Sequence, residues 1–117
     1  MADSYIDVSS QDFTEKVLGS EQMVLVNFSA ENSAACQIQN TEFEVISKEF
    51  KERVTFARVD VDKSREMTNQ WQVDGIPTII FFKSGQEINR IKGIIMRDKL
   101  RRRIEGALLA SNTSPVE

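Results

Sequence analysis

The sequence predicts a single α/β domain built as a sandwich around a mixed β-sheet. Its 117 residues are enough for one small domain with one core. Segments of strand and helix character alternate through most of the chain, which is typical of a sheet with a parallel centre. A tight turn then joins the last two strand-like segments, so these two strands should form an antiparallel hairpin that makes the sheet mixed.

The first part of the chain predicts a strand, a short helix and a buried strand. Residues 5–8 are β-prone, and the Ser-Ser-Gln-Asp run at residues 9–12 is typical of a helix start. Phe13 and Val17 follow at helical spacing, and Gly19 is the expected end of this helix. Residues 23–28 form an almost unbroken apolar run, as in a strand buried on both faces. We expect that strand at the centre of the sheet.

A long helix is predicted for residues 34–50. Four of its apolar residues recur at offsets of seven, three and four, which places them on one stripe of the helix: Cys36, Phe43, Ile46 and Phe50. Cys36 therefore belongs to the inner face of this helix.

The rest of the chain predicts a strand at residues 54–61, a short helix at 64–71 and the hairpin strands at 78–83 and 87–92. A closing helix then carries an apolar stripe of Leu100, Ile104 and Leu108. The domain should comprise residues 1–110. Residues 111–117 are polar with one proline, and we expect them to form a flexible tail.

The composition excludes several classes of function. With 40% hydrophobic and 28% charged residues, and no apolar run near the roughly 18 residues that span a bilayer, the chain should not enter a membrane. Its 15 basic and 18 acidic residues give a net charge of -3, which offers no general attraction to nucleic acid. We expect protein partners, with neither nucleic acid nor membrane among them, and a monomer.

The cysteine and histidine counts limit the chemistry further. Cys36 is the only cysteine, so no intramolecular disulfide can form. The absence of histidine removes the commonest general base and the commonest zinc ligand, so we expect neither a metal nor a cofactor. The first seven residues lack the basic and apolar regions of a secretory signal. Together with the single thiol, this predicts a cytoplasmic protein.

Two motifs resemble the thioredoxin family. Residues 24–36 (Val-Leu-Val-Asn-Phe-Ser-Ala-Glu-Asn-Ser-Ala-Ala-Cys) resemble the stretch V-x-V-D-F-W-A-x-W-C-G-P-C. Residues 74–78 (Asp-Gly-Ile-Pro-Thr), followed by residues 81–85 (Phe-Phe-Lys-Ser-Gly), resemble the G-I-P-T and F-x-x-G signature. The resemblance covers about residues 5–109. It implies the thioredoxin fold, a central mixed five-stranded sheet with helices on both faces.

The chain departs from the family pattern at the active site. The attacking cysteine falls on Ser33, the tryptophan before it on Asn32, and the Gly-Pro pair on Ala34 and Ala35, so only the resolving cysteine is kept, as Cys36. Dithiol reduction needs one thiolate to attack and a second thiol to release the mixed disulfide, and a serine hydroxyl cannot take the first role. Ser33 is instead well placed to cap the following helix.

Three further departures follow from the same resemblance. The buried aspartate of the family falls on Asn27, the lysine across from it on Arg58, and the proline that kinks the helix on Thr41. An amide cannot accept the proton that a carboxylate would take during release of a mixed disulfide. Nucleophile and proton acceptor should therefore be missing together.

The resemblance also implies a partner-binding surface. The family pairs the backbone of the residue before a cis-proline with an extended partner segment, and here that pair is Ile76 and Pro77. Residues 93–96 (Gly-Ile-Ile-Met) should lie beside it, with at least one of the three apolar side chains covering the core. The surface, called here the Pro77 face, is expected to comprise Asn32, Ala34, Ala35, Gly75, Ile76, Pro77, Gly93 and Ile94.

Charge is unevenly distributed. Residues 1–50 carry nine acids and two bases, whereas residues 51–117 carry nine acids and thirteen bases. The bases crowd the closing helix at Arg97, Lys99, Arg101, Arg102 and Arg103. They are expected either to form a solvated helix face or to meet an acidic partner.

These observations lead to one functional prediction and one alternative. We expect a thioredoxin-like protein with a degenerate active site that binds a partner protein through the Pro77 face and does not reduce disulfides. The alternative is a thiol-disulfide oxidoreductase in redox homeostasis that uses Cys36 alone, through mixed disulfides. The reactivity of Cys36 distinguishes the two, because a helix N-terminus favours its thiolate whereas the apolar stripe disfavours it.

Overall fold

The computed structural model describes residues 4–112. The strands are β1 (Ile6–Asp7), β2 (Met23–Ser29), β3 (Val54–Asp60), β4 (Thr78–Lys83) and β5 (Gln86–Lys92). The α-helices are α1 (Ala34–Phe50), α2 (Arg65–Gln70) and α3 (Arg97–Asn112), and a π-helix covers Thr14–Leu18. The long helix α1 has the bounds that its apolar spacing predicted.

The strands form one mixed sheet in the order β1-β3-β2-β4-β5. β3 is parallel to β1 and to β2, and β4 is antiparallel to β2 and to β5. β2 lies at the centre and is buried along its whole length, as its apolar run predicted. The five-stranded mixed sheet is thereby confirmed.

Alternate side chains of the central strands point to opposite faces, and each face has its own core. Leu25 and Phe81 belong to the core beneath α1 and α3, where the closing-helix stripe of Leu100, Ile104 and Leu108 is also buried. Val24 and Phe82 belong to the core on the other face, with Phe13 and Val17 of the π-helix region and Met67 of α2. Helices therefore cover both faces of the sheet.

Strand register brings three chain segments to one edge of the sheet. Phe28, near the end of β2, pairs with Thr78 at the start of β4, and Thr78 also pairs with Lys92 at the end of β5. The segment after β2, the segment before β4 and the segment after β5 therefore emerge together.

The first helix differs from the sequence prediction in where it begins and in its type. Residues 9–12 form a turn ahead of the helix, because the Asp12 carboxylate accepts a hydrogen bond from the Ser9 backbone N–H at 2.8 Å. The helix itself is a π-helix, in which the Gly19 N–H donates to the Thr14 carbonyl five residues earlier at 2.8 Å. Gly19 does end it, as expected.

The predicted start of a flexible tail at residue 111 was also wrong. Residues 111 and 112 continue α3, and the Ser111 hydroxyl donates a hydrogen bond to the Leu108 carbonyl at 3.3 Å. This local bond lets a serine remain inside a helix. Residues 113–117 lie outside the described residues.

Carboxylates of α1 neutralise part of the basic run on α3. Glu42 accepts hydrogen bonds from the Arg97 backbone N–H at 2.7 Å and from its Nε and Nη2 at 3.1 and 2.9 Å. Glu49 binds Arg101 through two bonds of 2.8 Å, and Asp98 binds its third nitrogen at 2.9 Å. The like-charge pair of Arg97 and Arg101 is therefore offset by ion pairs, most of them between the two helices.

Candidate functional site

The site begins at the N-terminus of α1, where Ser33 caps the helix as predicted. Its backbone is extended (φ -100°, ψ 122°), and its hydroxyl oxygen accepts a hydrogen bond from the Cys36 N–H at 3.2 Å. This contact satisfies one of the backbone donors that an α-helix leaves unpaired in its first turn. The Ser33 hydroxyl therefore serves as the N-terminal cap of α1.

Cys36 lies in the first turn of α1 and has no solvent-exposed surface. Its sulfur accepts a hydrogen bond from the Ala30 N–H at 3.4 Å, so the loop between β2 and α1 folds over the thiol. It is a free thiol. A reagent can reach it only after this loop opens.

The layer around Asn27 is uncharged. Asn27 is fully buried on β2, and its Nδ2 donates to the side-chain oxygen of Asn40 on α1 at 2.8 Å. Its own Oδ1 has no hydrogen-bond partner among the described residues. The layer holds an amide pair where the resemblance implies a carboxylate.

Arg58 lies next to Asn27 in the sheet register but its guanidinium is engaged elsewhere. Its Nε and Nη2 lie 3.2 and 3.1 Å from Oδ1 of Asp7, and the guanidinium carbon lies 5.4 Å from the centre of the Tyr5 ring. The cation therefore lies at the β1 edge of the sheet, paired with a surface carboxylate.

The opposite wall of the site is the Ile76–Pro77 turn, whose peptide bond is cis. The Thr78 hydroxyl donates to the Gly75 carbonyl at 2.7 Å, and the Gly93 N–H donates to the Pro77 carbonyl at 2.9 Å. Gly93 has φ +86°, a conformation that side-chain-bearing residues avoid. The segment after β5 therefore lies beside Pro77, as the sequence predicted.

Residues 94–96 divide between core and surface. Ile95 is buried, and its backbone N–H and carbonyl both pair with the side-chain amide of Gln39, at 2.7 and 3.0 Å. Ile94 and Met96 remain 43% and 53% exposed. One of the three apolar side chains covers the core and two form an apolar rim, and Ile38 on α1 is also exposed.

The structure brings most of the predicted Pro77 face to one sheet edge, but not all of its members are accessible. Pro77 is buried, Ala35 and Ile76 are half-buried, and the remaining residues are exposed: Asn32, Ala34, Gly75, Gly93 and Ile94. The side chain of Pro77 therefore contributes to the wall beneath the surface.

Sequence reasoning missed the polar side chains that position these segments. Gln39 and Glu42 are buried on α1 and bind Ile95 and Arg97, which lie 56 and 55 residues further along the chain, respectively. The Arg97 side chain, followed by its backbone N–H, lowers the pKa of Glu42 below its ordinary value, although burial opposes this shift. The sequence did offer a signal for these contacts, namely polar residues beside the apolar stripe of Cys36 and Phe43. Buried polar groups are almost always hydrogen-bonded, so such residues indicate a bonding partner elsewhere in the chain.

Arg90 was also missed. On β5 it binds Glu87 through Nε and Nη2 at 2.7 and 2.8 Å, and it donates to the carbonyls of Gln72 and Trp71 at 3.1 and 2.8 Å. The hydrogen bond from Arg90 lowers the pKa of Glu87. This arginine fixes the turn that precedes residues 74–77.

Two classes of site find no support in residues 4–112. No group of three or more cysteine, aspartate or glutamate side chains is arranged to hold a metal ion. Over the same residues, each helix is too short or too polar to cross a lipid bilayer.

Comparison with known proteins gives one family. The family model described as Thioredoxin matches residues 4–106. The chain is 30% identical over 100 residues to thioredoxin H-type of Picea mariana, covering 86% of this chain and 78% of that protein. It is 39% identical over 88 residues to a thioredoxin of Mycobacterium bovis, covering 75% and 76%.

One similar protein is much longer. The chain is 39% identical over 88 residues to the bifunctional thioredoxin reductase/thioredoxin of Mycobacterium leprae, covering 75% of this chain but only 19% of that protein. The match therefore concerns a single domain of the longer protein.

Proposed function

The chain belongs to the thioredoxin family, and we propose that it acts by binding a protein partner through the Pro77 face, without reducing disulfides by dithiol exchange. It has the thioredoxin fold. At the level of the family its relatives support thiol-disulfide redox chemistry. The proposal concerns what this member, with one cysteine, does with that fold.

One observation carries the proposal: the single thiol is fully buried and no second thiol exists to resolve a mixed disulfide. Dithiol reduction requires an accessible thiolate that attacks and a neighbouring thiol that releases the product. Ser33 stands where the resemblance implies the attacking cysteine, and its hydroxyl serves as a helix cap. The nearby Asn27 amide, unlike a carboxylate, neither accepts nor releases a proton at neutral pH.

The surface around the buried thiol supports binding. Ile94 and Met96 expose large apolar side chains at the sheet edge where the Pro77 turn also lies. Two hydrogen bonds between the Gln39 side chain and the Ile95 backbone, called here the Gln39 clamp, hold this segment in place. The bond from the Gly93 N–H to the Pro77 carbonyl does the same. A prearranged apolar surface loses little entropy when a partner binds.

The alternative function is a redox role for Cys36 alone. The Cys36 thiolate would attack one sulfur of a glutathione or protein disulfide, forming a mixed disulfide and releasing the other sulfur as a thiolate. An external thiol such as glutathione would then displace Cys36 and take over the disulfide bond. Family membership and the position of Cys36 in the first turn of α1 favour this function.

Insulin reduction tests the absence of dithiol chemistry. With dithiothreitol or thioredoxin reductase as electron donor, we expect the same rate with the protein as without it. A rate above the control without protein would refute the proposal.

Alkylation of Cys36 distinguishes binding from the single-thiol function. We expect iodoacetamide to modify the folded protein far more slowly than the urea-unfolded protein, because the loop carrying Ala30 must open first. Equal rates, or a stable mixed disulfide formed with oxidised glutathione under native conditions, would favour the redox function.

Affinity capture tests the binding surface. The immobilised wild-type protein is compared with I94S/M96S, C36S and the control I6S, whose exposed isoleucine lies on β1, the edge strand furthest from β5 in the sheet. We expect I6S and C36S to retain the same partner as wild type, and I94S/M96S to lose it. Retention that depends on Cys36 would instead support the mixed-disulfide function.

A further inference from the structure

A second surface lies between β5 and α3, away from the Pro77 face. A cleft of about 460 Å³ separates the strand from the second half of the helix. Its wall and floor include Ile88 and Asn89 from β5, and Arg102, Arg103, Ala107 and Ala110 from α3. The cleft contains both large apolar and cationic side chains, and it opens to solvent.

A β-bulge turns Ile88 into this cleft. Phe81 pairs with Asn89 and Phe82 pairs with Glu87, so Ile88 is an extra residue without a partner in β4. Neighbouring side chains of a regular strand point to opposite faces, yet Ile88 and Asn89 both line the cleft. Ile88 remains 45% exposed there.

The bulge also explains the ion pair on the other face of β5. Glu87 and Arg90 are three residues apart and would lie on opposite faces of a regular strand. The extra residue places them together, with Arg90 Nε 2.7 Å from Glu87 Oε2. The charged pair on one face of β5 and the position of Ile88 on the other are therefore two consequences of the same bulge.

Small residues on α3 leave room opposite Ile88. Gly106, Ala107 and Ala110 face the cleft. A methyl group built on Gly106 would meet no atom within 4 Å, so the space above the helix is open. A large side chain from outside the molecule would fit between this part of the helix and Ile88.

The arginines at the cleft lack carboxylate partners within residues 4–112. Arg97 and Arg101 on the same helix are each bound to a carboxylate of α1. Arg102 forms no ion pair with a described residue, and Arg103 donates from Nη2 to the Asn89 side-chain oxygen at 2.9 Å, a neutral partner. Among the described residues, two guanidinium groups without a carboxylate partner therefore border an apolar floor.

We propose that this cleft binds an acidic segment of a partner protein. Carboxylates of the segment pair with Arg102 and Arg103, because guanidinium forms its strongest hydrogen bonds with carboxylates. An apolar side chain of the segment lies against Ile88 and the small residues of α3. The charge of the cleft and its apolar floor together select this occupant.

The partner contacts the cleft through side chains and does not extend the sheet. β5 is an edge strand, but the bulge interrupts its regular hydrogen-bonding edge. The Arg90 N–H is also already bonded, to the Asn89 side-chain oxygen at 2.8 Å. The cleft lies at the Ile88 end of β5, whereas the Pro77 face lies at the Lys92 end, so this proposal does not depend on the proposed function.

A peptide selection tests the proposal. A random library of about twelve-residue peptides is selected on immobilised wild-type protein after depletion of peptides that bind R102E/R103E. We expect enriched sequences that combine Asp or Glu with a large apolar residue. Their affinity should fall at least tenfold on R102E/R103E, fall on I88S, and weaken as salt is added.

The matched control is R65E/K99E, which reverses two exposed charges outside the cleft and changes the net charge equally. Undiminished binding to this control supports the cleft, and melting curves verify that all variants are folded. The proposal is overturned if no peptide distinguishes wild type from R102E/R103E, if enriched peptides lack acids, or if I94S abolishes binding and I88S does not. A dimer seen by sedimentation that R102E/R103E dissociates would make the occupant a second copy and also overturn it.

Discussion

Introducing a cysteine at position 33 tests whether the missing nucleophile alone explains the proposed loss of dithiol chemistry. The variant S33C places a thiol three residues before Cys36 at the N-terminus of α1, where the helix dipole favours a thiolate. The Cys36 backbone N–H donates a hydrogen bond of 3.2 Å to Ser33 Oγ, so the new thiol would lie next to the residue that carries the Cys36 thiol. We expect weak disulfide reductase activity.

Asn27 limits that activity. The amide cannot accept the proton of Cys36 as its thiol attacks the mixed disulfide, and such general acid-base help is typically worth about a hundredfold. A hundredfold difference corresponds to about 2.7 kcal/mol of activation free energy. The double variant S33C/N27D should therefore exceed S33C by about two orders of magnitude.

The structure also predicts a stability penalty for N27D. The carboxyl would occupy a fully buried position whose neighbouring cation, Arg58, is paired with Asp7. Burial without a cation raises the pKa of a carboxyl, and each unit lowers the stability by about 1.4 kcal/mol at a pH above the shifted pKa. A raised pKa would also bring the new group closer to the working pH of a general base.

The assay is insulin reduction at neutral pH with one electron donor for wild type, N27D, S33C and the double variant. Wild type and N27D are the controls and should both be inactive, because neither has a second thiol. Urea unfolding of each variant separates lost chemistry from lost folding. If S33C alone is as active as a complete thioredoxin, Asn27 is not a second lesion and the reasoning fails.

Three further predictions concern stability. G106A should raise the free energy of unfolding by about 0.5–1 kcal/mol and G93A should lower it by about 1–2 kcal/mol. An added Cβ would meet no atom within 4 Å at either site, but only Gly93 has a positive φ. Urea titration measures both changes, and equal effects would contradict this prediction. The lowered pKa of Glu42 means that its stabilising effect is full above its ordinary value of 4.5 and is lost as pH falls through the shifted value. The stability gap between wild type and E42Q should therefore narrow as the pH falls below the ordinary value of 4.5, and a gap that stays constant over this range would exclude a role for the Arg97 pair. Q39A leaves both backbone groups of Ile95 unpaired and should lower the free energy of unfolding by about 2–5 kcal/mol, and a loss below about 1 kcal/mol would show that solvent replaces the clamp.

The predictions that succeeded depend on short-range patterns. The stripe that begins at Cys36 and ends at Phe50 fixed the bounds of α1, and Ser33 caps it because its neighbours in sequence are the groups it binds. The apolar run of β2 was sufficient to place it at the centre of the sheet, since a strand buried on both faces needs neighbours on both sides.

The features that sequence reasoning missed depend on partners far along the chain. Gln39 binds the backbone of Ile95 because the fold places the segment after β5 beside α1. The bulge at Ile88 is a property of the β4–β5 register, and the residue type at that position does not predict it. The π-helix depends on hydrogen bonds between residues five apart, such as that from Gly19 to Thr14, which helical spacing alone does not reveal.

The uncharged residues around Asn27 fit together as one arrangement, which bears on how the proposed loss of dithiol chemistry came about. A buried carboxylate at position 27 would need a cation, whereas the Asn27 amide needs only the Asn40 side chain opposite it. With no buried charge to stabilise, Arg58 is free to pair with Asp7 at the β1 edge. Replacing Ser33 alone by cysteine would leave this neutral layer intact. The protein would then have a second thiol but no proton acceptor beside it. The changes at these positions are therefore best understood together, as one uncharged packing arrangement in place of a charged one.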